Sequence, residues 1–310
     1  MNKALVFNFH NEPDGDMFER IIISLKANYQ LVSAEELELL LLQQEKLKNI
    51  CHISFDDGEK SFYNKIFPVL KKHSVPVSLF LSPEIVTTNS NFWFQESMGY
   101  NNDLVKKLIA QRMQITVDAI RPYSFQQVCK NLPIDDIMAV IGSYQQLTHC
   151  GSKAPMNMNL DEMLEVHRSG LVTIGAHSLH HPILKNEDDN RSRTEITASI
   201  NGLQQLLGHA IRYFAYPNGR PGIDFGEREM QYVRENNIAM AFSSELDHLS
   251  PPVNMLSVAR TGFPRMGLSP TNPFIFFRLN LGKRWVDIKS IGKPSEKNIR
   301  DRIHLILEKK

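Results

Sequence analysis

The stretch His52-Ile53-Ser54-Phe55-Asp56-Asp57-Gly58 reads as a buried strand that runs into two adjacent carboxylates and a glycine turn. Short, β-rich apolar runs favour strand over helix. In a barrel of parallel strands, polar residues at the C-terminal end of a strand serve function more often than structure. Taken alone, Asp-Asp-Gly is explained about as well by a turn with a capping Asp.

Similar runs recur on both sides of it. Residues 4–7, 75–80, 171–174, 211–216 and 238–242 are short and apolar. Helix-like segments with the helical period lie between them, at 18–26, 34–46, 63–73, 160–168, 193–207 and 227–236. Gly170, Gly208 and Asn236 stand where helix C-terminal punctuation belongs. Strand and helix in alternation imply a mostly parallel α/β sheet, either barrel or open. Residues 87–155 break the rhythm, with Phe92-Trp93-Phe94 followed by helix-like 104–112 and 134–145. We read this stretch as a helical insertion. Its aromatic cluster either packs a core or stacks on a sugar ring.

Two further strand ends carry chemistry. Gly175-Ala176-His177-Ser178-Leu179-His180-His181-Pro182 places three histidines in five positions after an apolar run. Pro182 and the preceding strand argue for an irregular turn, which can bring two imidazoles onto one cation. His180 is either a third ligand or points away. Phe214-Ala215-Tyr216-Pro217-Asn218-Gly219 ends a strand in a proline-glycine turn. It is a plain tight turn, or one whose backbone N–H stabilises an oxyanion.

Length and composition set the outer bounds. The chain has 310 residues, with 42% hydrophobic and 22% charged. That is globular composition, which excludes global disorder. The net charge of +1 argues against nucleic-acid binding through a whole-domain positive field. Cys51, Cys129 and Cys150 form no CxxC pair, so neither a cysteine zinc site nor a disulfide framework is supported. The N-terminus lacks a basic region followed by a long apolar one, and no apolar run approaches the roughly 20 residues of a membrane span. A cytoplasmic location is the expectation. From Leu268 onward ten bases face four acids, a side-chain charge of +6. A solvated terminal helix is the expected reading of this basic tail, and peripheral contact with an anionic surface is the alternative.

Together, in this order and with helices between them, the three strand ends resemble the polysaccharide deacetylase family, the NodB-homology or carbohydrate esterase family 4 group. Ser54 to Gly58 match its Thr/Ser-Phe-Asp-Asp-Gly motif, and His177 to His181 match His-Ser/Thr-x-x-His. Phe214 to Gly219 match part of its aromatic-Arg-x-Pro-Tyr-Gly turn. The resemblance covers about residues 3–263, interrupted by the insertion. It implies a distorted (β/α)7 barrel over residues 1–266, with the helical insertion at about 87–155 and a basic tail at 267–310. It also implies a metal-dependent N-deacetylase acting on an N-acetylated sugar or glycan. By position, Asp57, His177 and His181 would hold one divalent metal and Asp56 would be the general base. Zinc is the first choice, with cobalt, nickel, iron and manganese as alternatives. The N–H of Asn218 is the matched oxyanion donor.

The departures from the family pattern define what the structure must answer. The arginine of the third motif is Ala215 here, and its tyrosine is Asn218. Arg260 is the candidate substitute for the arginine, with Arg212 behind it. The family's general acid lies in a late Leu-x-His motif, which Leu246-Asp247-His248 fits literally, although Ser250-Pro251-Pro252 suggest a loop. His10, ending the first strand, is placed to line the pocket. Two other functions stay open: a deformylase or other C–N amide hydrolase on a carrier-linked sugar, and a carbohydrate-binding module whose catalytic site has decayed.

Overall fold

A computed structural model of the chain describes residues 3–10, 14–43, 47–245, 247–262 and 295–308. Its strands are β1 (Leu5–Phe9), β2 (Gln30–Leu31), β3 (Ile50–Phe55), β4 (Val77–Leu81), β5 (Val172–Ala176), β6 (Tyr213–Ala215), β7 (Met240–Phe242) and β8 (Thr261–Gly262). They lie in the order β7-β6-β5-β4-β3-β1-β8, with β2 paired to the start of β3. Every pairing along this path is parallel. Val258 forms a parallel bridge with Phe242, while Thr261 pairs with Phe7. The segment from Val258 to β8 therefore spans β7 and β1 and closes the seam. This is the distorted (β/α)7 barrel of the NodB type.

Strand periodicity sorts the side chains. Leu5, Phe7, Phe9, Ile53 and Phe55 pack outward under the surrounding helices, in one cluster with Phe18, Leu25 and Leu70. Val6, Phe80, Tyr213, Ala215 and Phe242 form a separate interior cluster. Asn8, His52, Ser54 and Ser78 share the interior parity and are buried. His52 uses Nδ1 on the Val32 carbonyl (2.8 Å) and Nε2 on Ser78 Oγ (2.9 Å). Burial lowers its pKa to about 4, so it stays a neutral part of the packing. Gly175 has no room for a side chain: a Cβ there would stand 2.5 Å from the Phe80 ring.

The helices follow the sequence reading closely. They are α1 (Gly15–Asn28), α2 (Ala34–Leu42), α3 (Phe67–His73, entered through a π-turn at Phe62–Ile66), α10 (Leu160–Arg168), α11 (Asp189–Leu207) and α12 (Glu227–Glu235). Helix α2 starts in a capping box between Ser33 and Glu36. It stoppers the N-terminal end of the barrel, with Ala34, Leu37 and Leu41 in the interior cluster and Glu38 accepting the Tyr213 hydroxyl (2.9 Å). The opposite, C-terminal ends of the strands are left to form the site.

Between β4 and α10 run α4 (Pro83–Thr88), α5 (Trp93–Glu96), α6 (Asn102–Met113), α7 (Val117–Ile120), α8 (Phe125–Cys129) and α9 (Ile134–Thr148). They bury a cluster of their own around Ile109, Ile120, Val128, Ile137 and Val140. The last helix, α13 (Glu296–Leu307), contributes Ile303 and Leu307 to that cluster. The solvated terminal helix expected from its charge is therefore corrected: spacing of Ile299, Ile303 and Leu307 gives it an apolar stripe that docks on the insertion. Arg300 is buried with it, and its Nη2 lies 2.7 Å from Asp224 Oδ1. The boundary expected at residue 266 and the bases from Arg278 to Lys293 lie outside the described residues. No helix among the described residues is long and apolar enough to cross a membrane.

Candidate metal centre

Parallel register brings Phe9, Phe55, Leu81, Ala176, Ala215 and Phe242 to one end of the barrel. The residues that follow them build the site. Asp56 continues the interior parity of His52 and Ser54. Asp57 then turns at φ 69°, and Gly58 follows at φ 73°. A Cβ on Gly58 would stand 2.1 Å from Leu81 Cδ2, so a larger residue would have to displace that side chain and also adopt a left-handed dihedral that favours glycine. Ser178, His181 and Asn218 also adopt positive φ. Such conformations cost about 1–3 kcal/mol each outside glycine and persist where the surroundings over-determine them.

Asp57, His177 and His181 converge. Asp57 Oδ1 lies 3.8 Å from His177 Nε2 and 3.7 Å from His181 Nε2. With bonds of about 2.0–2.2 Å to oxygen and nitrogen, donors so spaced reach one zinc-like ion. All three residues are buried, and Asp57 Oδ1 has no hydrogen-bond partner among the described residues. Burial first, then the charges of Asp56 and Glu59, push the Asp57 carboxyl well above the usual carboxylate range. Burial lowers both imidazoles, His181 the further because His177 stands beside it. An orphaned carboxylate oxygen between two neutral imidazoles is a donor set that a cation would satisfy.

The histidine turn is pinned from several sides. His177 Nδ1 donates to the Ala215 carbonyl (2.7 Å), which leaves Nε2 to face Asp57. Ser178 Oγ accepts the His181 N–H (3.1 Å). The fully buried Glu195 accepts the N–H groups of Leu179 (3.1 Å) and His180 (2.9 Å), and His180 Nδ1 (2.6 Å). His180 thus points away from the centre, with its Nε2 3.1 Å from Glu84. From the insertion, the Trp93 indole N–H donates to the His181 carbonyl (3.1 Å), and Phe92 and Phe94 meet its ring edge-to-face.

Asp56, next in sequence to Asp57, has different partners. Arg260 grips it bidentately, Nη1 to Oδ1 at 2.7 Å and Nη2 to Oδ2 at 3.0 Å. Asn8 Nδ2 donates to Oδ2 at 2.9 Å. His10 Nε2 stands 3.6 Å from the same oxygen, with 57% of its side chain exposed. Burial raises the Asp56 pKa, but the charge of Arg260, aided by His177 and His10, outweighs it and holds the carboxyl below its usual range. Arg260 itself is fixed by the Ser243 carbonyl (3.2 Å) and Ser54 Oγ (3.3 Å), with its guanidinium 5.4 Å from the Phe80 ring.

Of the sequence candidates, the structure brings together Asp56, Asp57, His177, His181 and Arg260. Asn218 caps β6 in a turn closed by Gly219 N–H to Pro217 O (2.6 Å), and its own N–H meets no acceptor among the described residues. His248 does not join them. The N–H of Leu249 donates to Ala4 O (3.0 Å), before the start of β1, and Leu249 packs in the interior cluster with α2. That puts His248 at the stoppered end, about 13 Å along the strand from Asn8. Leu246, the first residue of its motif, lies outside the described residues. Arg212 is also misplaced, pairing with Glu38 at that same end. Sequence reasoning missed Asn8, whose only signal was its interior parity two positions before His10. It also missed Glu195 as the clamp of the histidine turn.

A family model described as polysaccharide deacetylase matches residues 43–240. No curated protein matches the chain. Among solved structures, the Streptococcus pyogenes deacetylase PplD in complex with acetate is 19% identical, with 88% of this chain and 96% of that one covered and a TM-score of 0.58. IcaB from Ammonifex degensii is 16% identical, with 98% of each chain covered and a TM-score of 0.58. The BpsB deacetylase domain from Bordetella bronchiseptica is 16% identical, with 84% of this chain and 95% of that one covered and a TM-score of 0.52. At these identities the likeness is one of fold.

Proposed function

Because this chain belongs to the polysaccharide deacetylase family, we propose that Asp57, His177 and His181 hold its divalent metal and that Asp56 is its general base. The enzyme is a metal-dependent hydrolase of amide C–N bonds that removes N-acetyl groups from a carbohydrate. One observation carries the assignment of residues: a buried Asp57 oxygen with no hydrogen-bond partner among the described residues, between two imidazole Nε2 atoms and beside a second carboxylate gripped by Arg260.

Bound there, a divalent cation supplies Lewis acidity that polarises the acetyl carbonyl and lowers the pKa of water. Three protein donors leave coordination open, as catalytic rather than structural sites do. Two imidazoles and one carboxylate suit zinc, which we take as the native metal. Asp56 accepts the proton of the attacking water. Arg260 and Asn8 keep that carboxylate ionised and oriented. The Asn218 N–H donates to the oxyanion that develops as water adds to the amide carbon. His10, on the solvent side of Asp56, donates the proton that the amine takes as the C–N bond breaks. The products are acetate and a free amine.

Arg260 also bears on the decayed-site alternative. The missing arginine of the third motif leaves Ala215, whose carbonyl orients His177, while a guanidinium from the seam reaches the base instead. Acetate release from an N-acetylglucosamine tetramer, with and without chelator, tests the reading. Metal-restored release supports it, and formate from an N-formyl analogue alone would redirect it to the deformylase alternative.

A further inference from the structure

Phe92, Trp93 and Phe94 enter the site as a unit from α5, but only one of them meets solvent. Phe92 is 1% and Trp93 4% exposed, whereas Phe94 is half-buried. The Phe94 ring is stacked on Phe92 (centroids 5.5 Å, planes 10° apart) and stands edge-to-face with Trp93 (5.7 Å) and with the metal-site His181 (5.0 Å). These contacts, with packing against the apolar cluster of the insertion, fix a partly exposed aromatic ring next to His181. Asn8, His10, Asp56 and Asn218, at or just beyond the C-terminal ends of the strands, are polar.

We propose that Phe94 is the substrate-binding platform of the centre, packing against the apolar face of the N-acetylated sugar whose acetyl group enters between Asp56 and His181. The assignment rests on the deacetylase reading and adds to it the residue that holds the sugar. A pyranose presents C–H groups on its faces, and a rigid, partly desolvated aromatic ring is the surface that such a face can cover without losing its hydroxyl hydrogen bonds. Phe94 is preorganised for this. Phe92 and Trp93 pack against it, and Trp93 is itself tied to the His181 carbonyl, which lowers the ordering cost of the binding step. Phe94 touches no reacting atom and is a specificity residue, separate from the base and the metal ligands.

The test uses the full, zinc-loaded chain in an Asp56→Asn background, so that binding is read without turnover. Calorimetry measures its affinity for an N-acetylglucosamine tetramer, with Phe94 intact and as Phe94→Ala, Phe94→Trp and Phe94→Leu. Zinc affinity is measured on each variant. The expected result is a loss of about 3- to 10-fold in tetramer affinity for Phe94→Ala, the range of a single aromatic contact. Phe94→Trp restores it, Phe94→Leu falls between, and zinc affinity is unchanged throughout. Unchanged tetramer affinity in Phe94→Ala, a parallel fall in zinc affinity, or no tetramer affinity with Phe94 intact overturns the assignment. Acetate release by the wild-type chain separately decides the deacetylase reading.

Discussion

Arg260 and Asp56 form a bidentate ion pair across 204 residues of sequence, both side chains sealed from solvent. Arg260 comes from the seam that closes the barrel, so barrel closure also orients Asp56, the proposed base. Removing one partner of such a pair strands a buried charge, at about 3–5 kcal/mol. Arg260→Met is expected to lose that much stability by denaturant unfolding. Arg260→Lys keeps the charge but not the fork, and tests the chemistry in a folded protein. Its kcat is expected to fall about 10²-fold or more. The acid limb of its pH–rate profile moves to higher pH, because Asp56 loses the paired guanidinium hydrogen bonds that help to depress its pKa. For stability the sign is fixed: Asp56 is lowered in the fold relative to the unfolded chain. The pair therefore stabilises at neutral pH, and this contribution fades only as pH falls below the ordinary carboxylate range.

The two candidate proton donors separate cleanly. His248→Ala, at the stoppered end, is expected to leave kcat within about 2-fold of wild type, whereas His10→Ala lowers it by about 10²–10⁴-fold. Both proteins should melt near the wild-type temperature if the effect is chemical. A loss of rate on His248→Ala with none on His10→Ala would reverse the roles.

Glu195 holds the histidine turn without touching the ligand set. Its carboxylate accepts two backbone N–H groups and the His180 ring. Glu195→Gln is expected to weaken zinc binding about 10- to 100-fold, the usual effect of disturbing groups that orient metal ligands. Competition with a chromogenic chelator reads this directly, and unchanged zinc affinity would mean the turn is held by Ser178 and Trp93 alone.

The metal should stabilise the protein more as pH rises. In the chain without a cation, Asp57 is raised above its unfolded pKa, so its contribution is full at low pH and is lost as rising pH forces the buried carboxyl to ionise. A cation needs the ionised carboxylate and neutral imidazoles, and competes with protons for all three donors. The rise in Tm on saturating with zinc is therefore expected to be larger at pH 8 than at pH 5.5. A shift independent of pH would place the metal on groups that do not titrate in this range.

The strands and helices around the site were legible because period and punctuation are local: α10 was read to the residue, and each major strand to within a few. The proposed metal set was legible because its residues follow the ends of apolar runs. The seam was not, since β8 has only two residues and the Val258 bridge is non-local. Arg260 could be named as a candidate but not placed. His248 misled because a three-residue pattern carries no information about which end of the barrel it occupies; the Leu249–Ala4 hydrogen bond decides that. Charge likewise masked the apolar stripe of α13, since Ile303 and Leu307 acquire their meaning only once the insertion offers a surface.

In the proposed mechanism one cation at Asp57, His177 and His181 drives hydrolysis. This is tested most directly by titrating zinc into the chelated full-length enzyme while acetate release from an N-acetylglucosamine tetramer is followed. Activity is expected to rise linearly and saturate at one equivalent of zinc, with Asp57→Ala flat across the titration. Acetate release that survives chelation, or that Asp57→Ala retains, would contradict it.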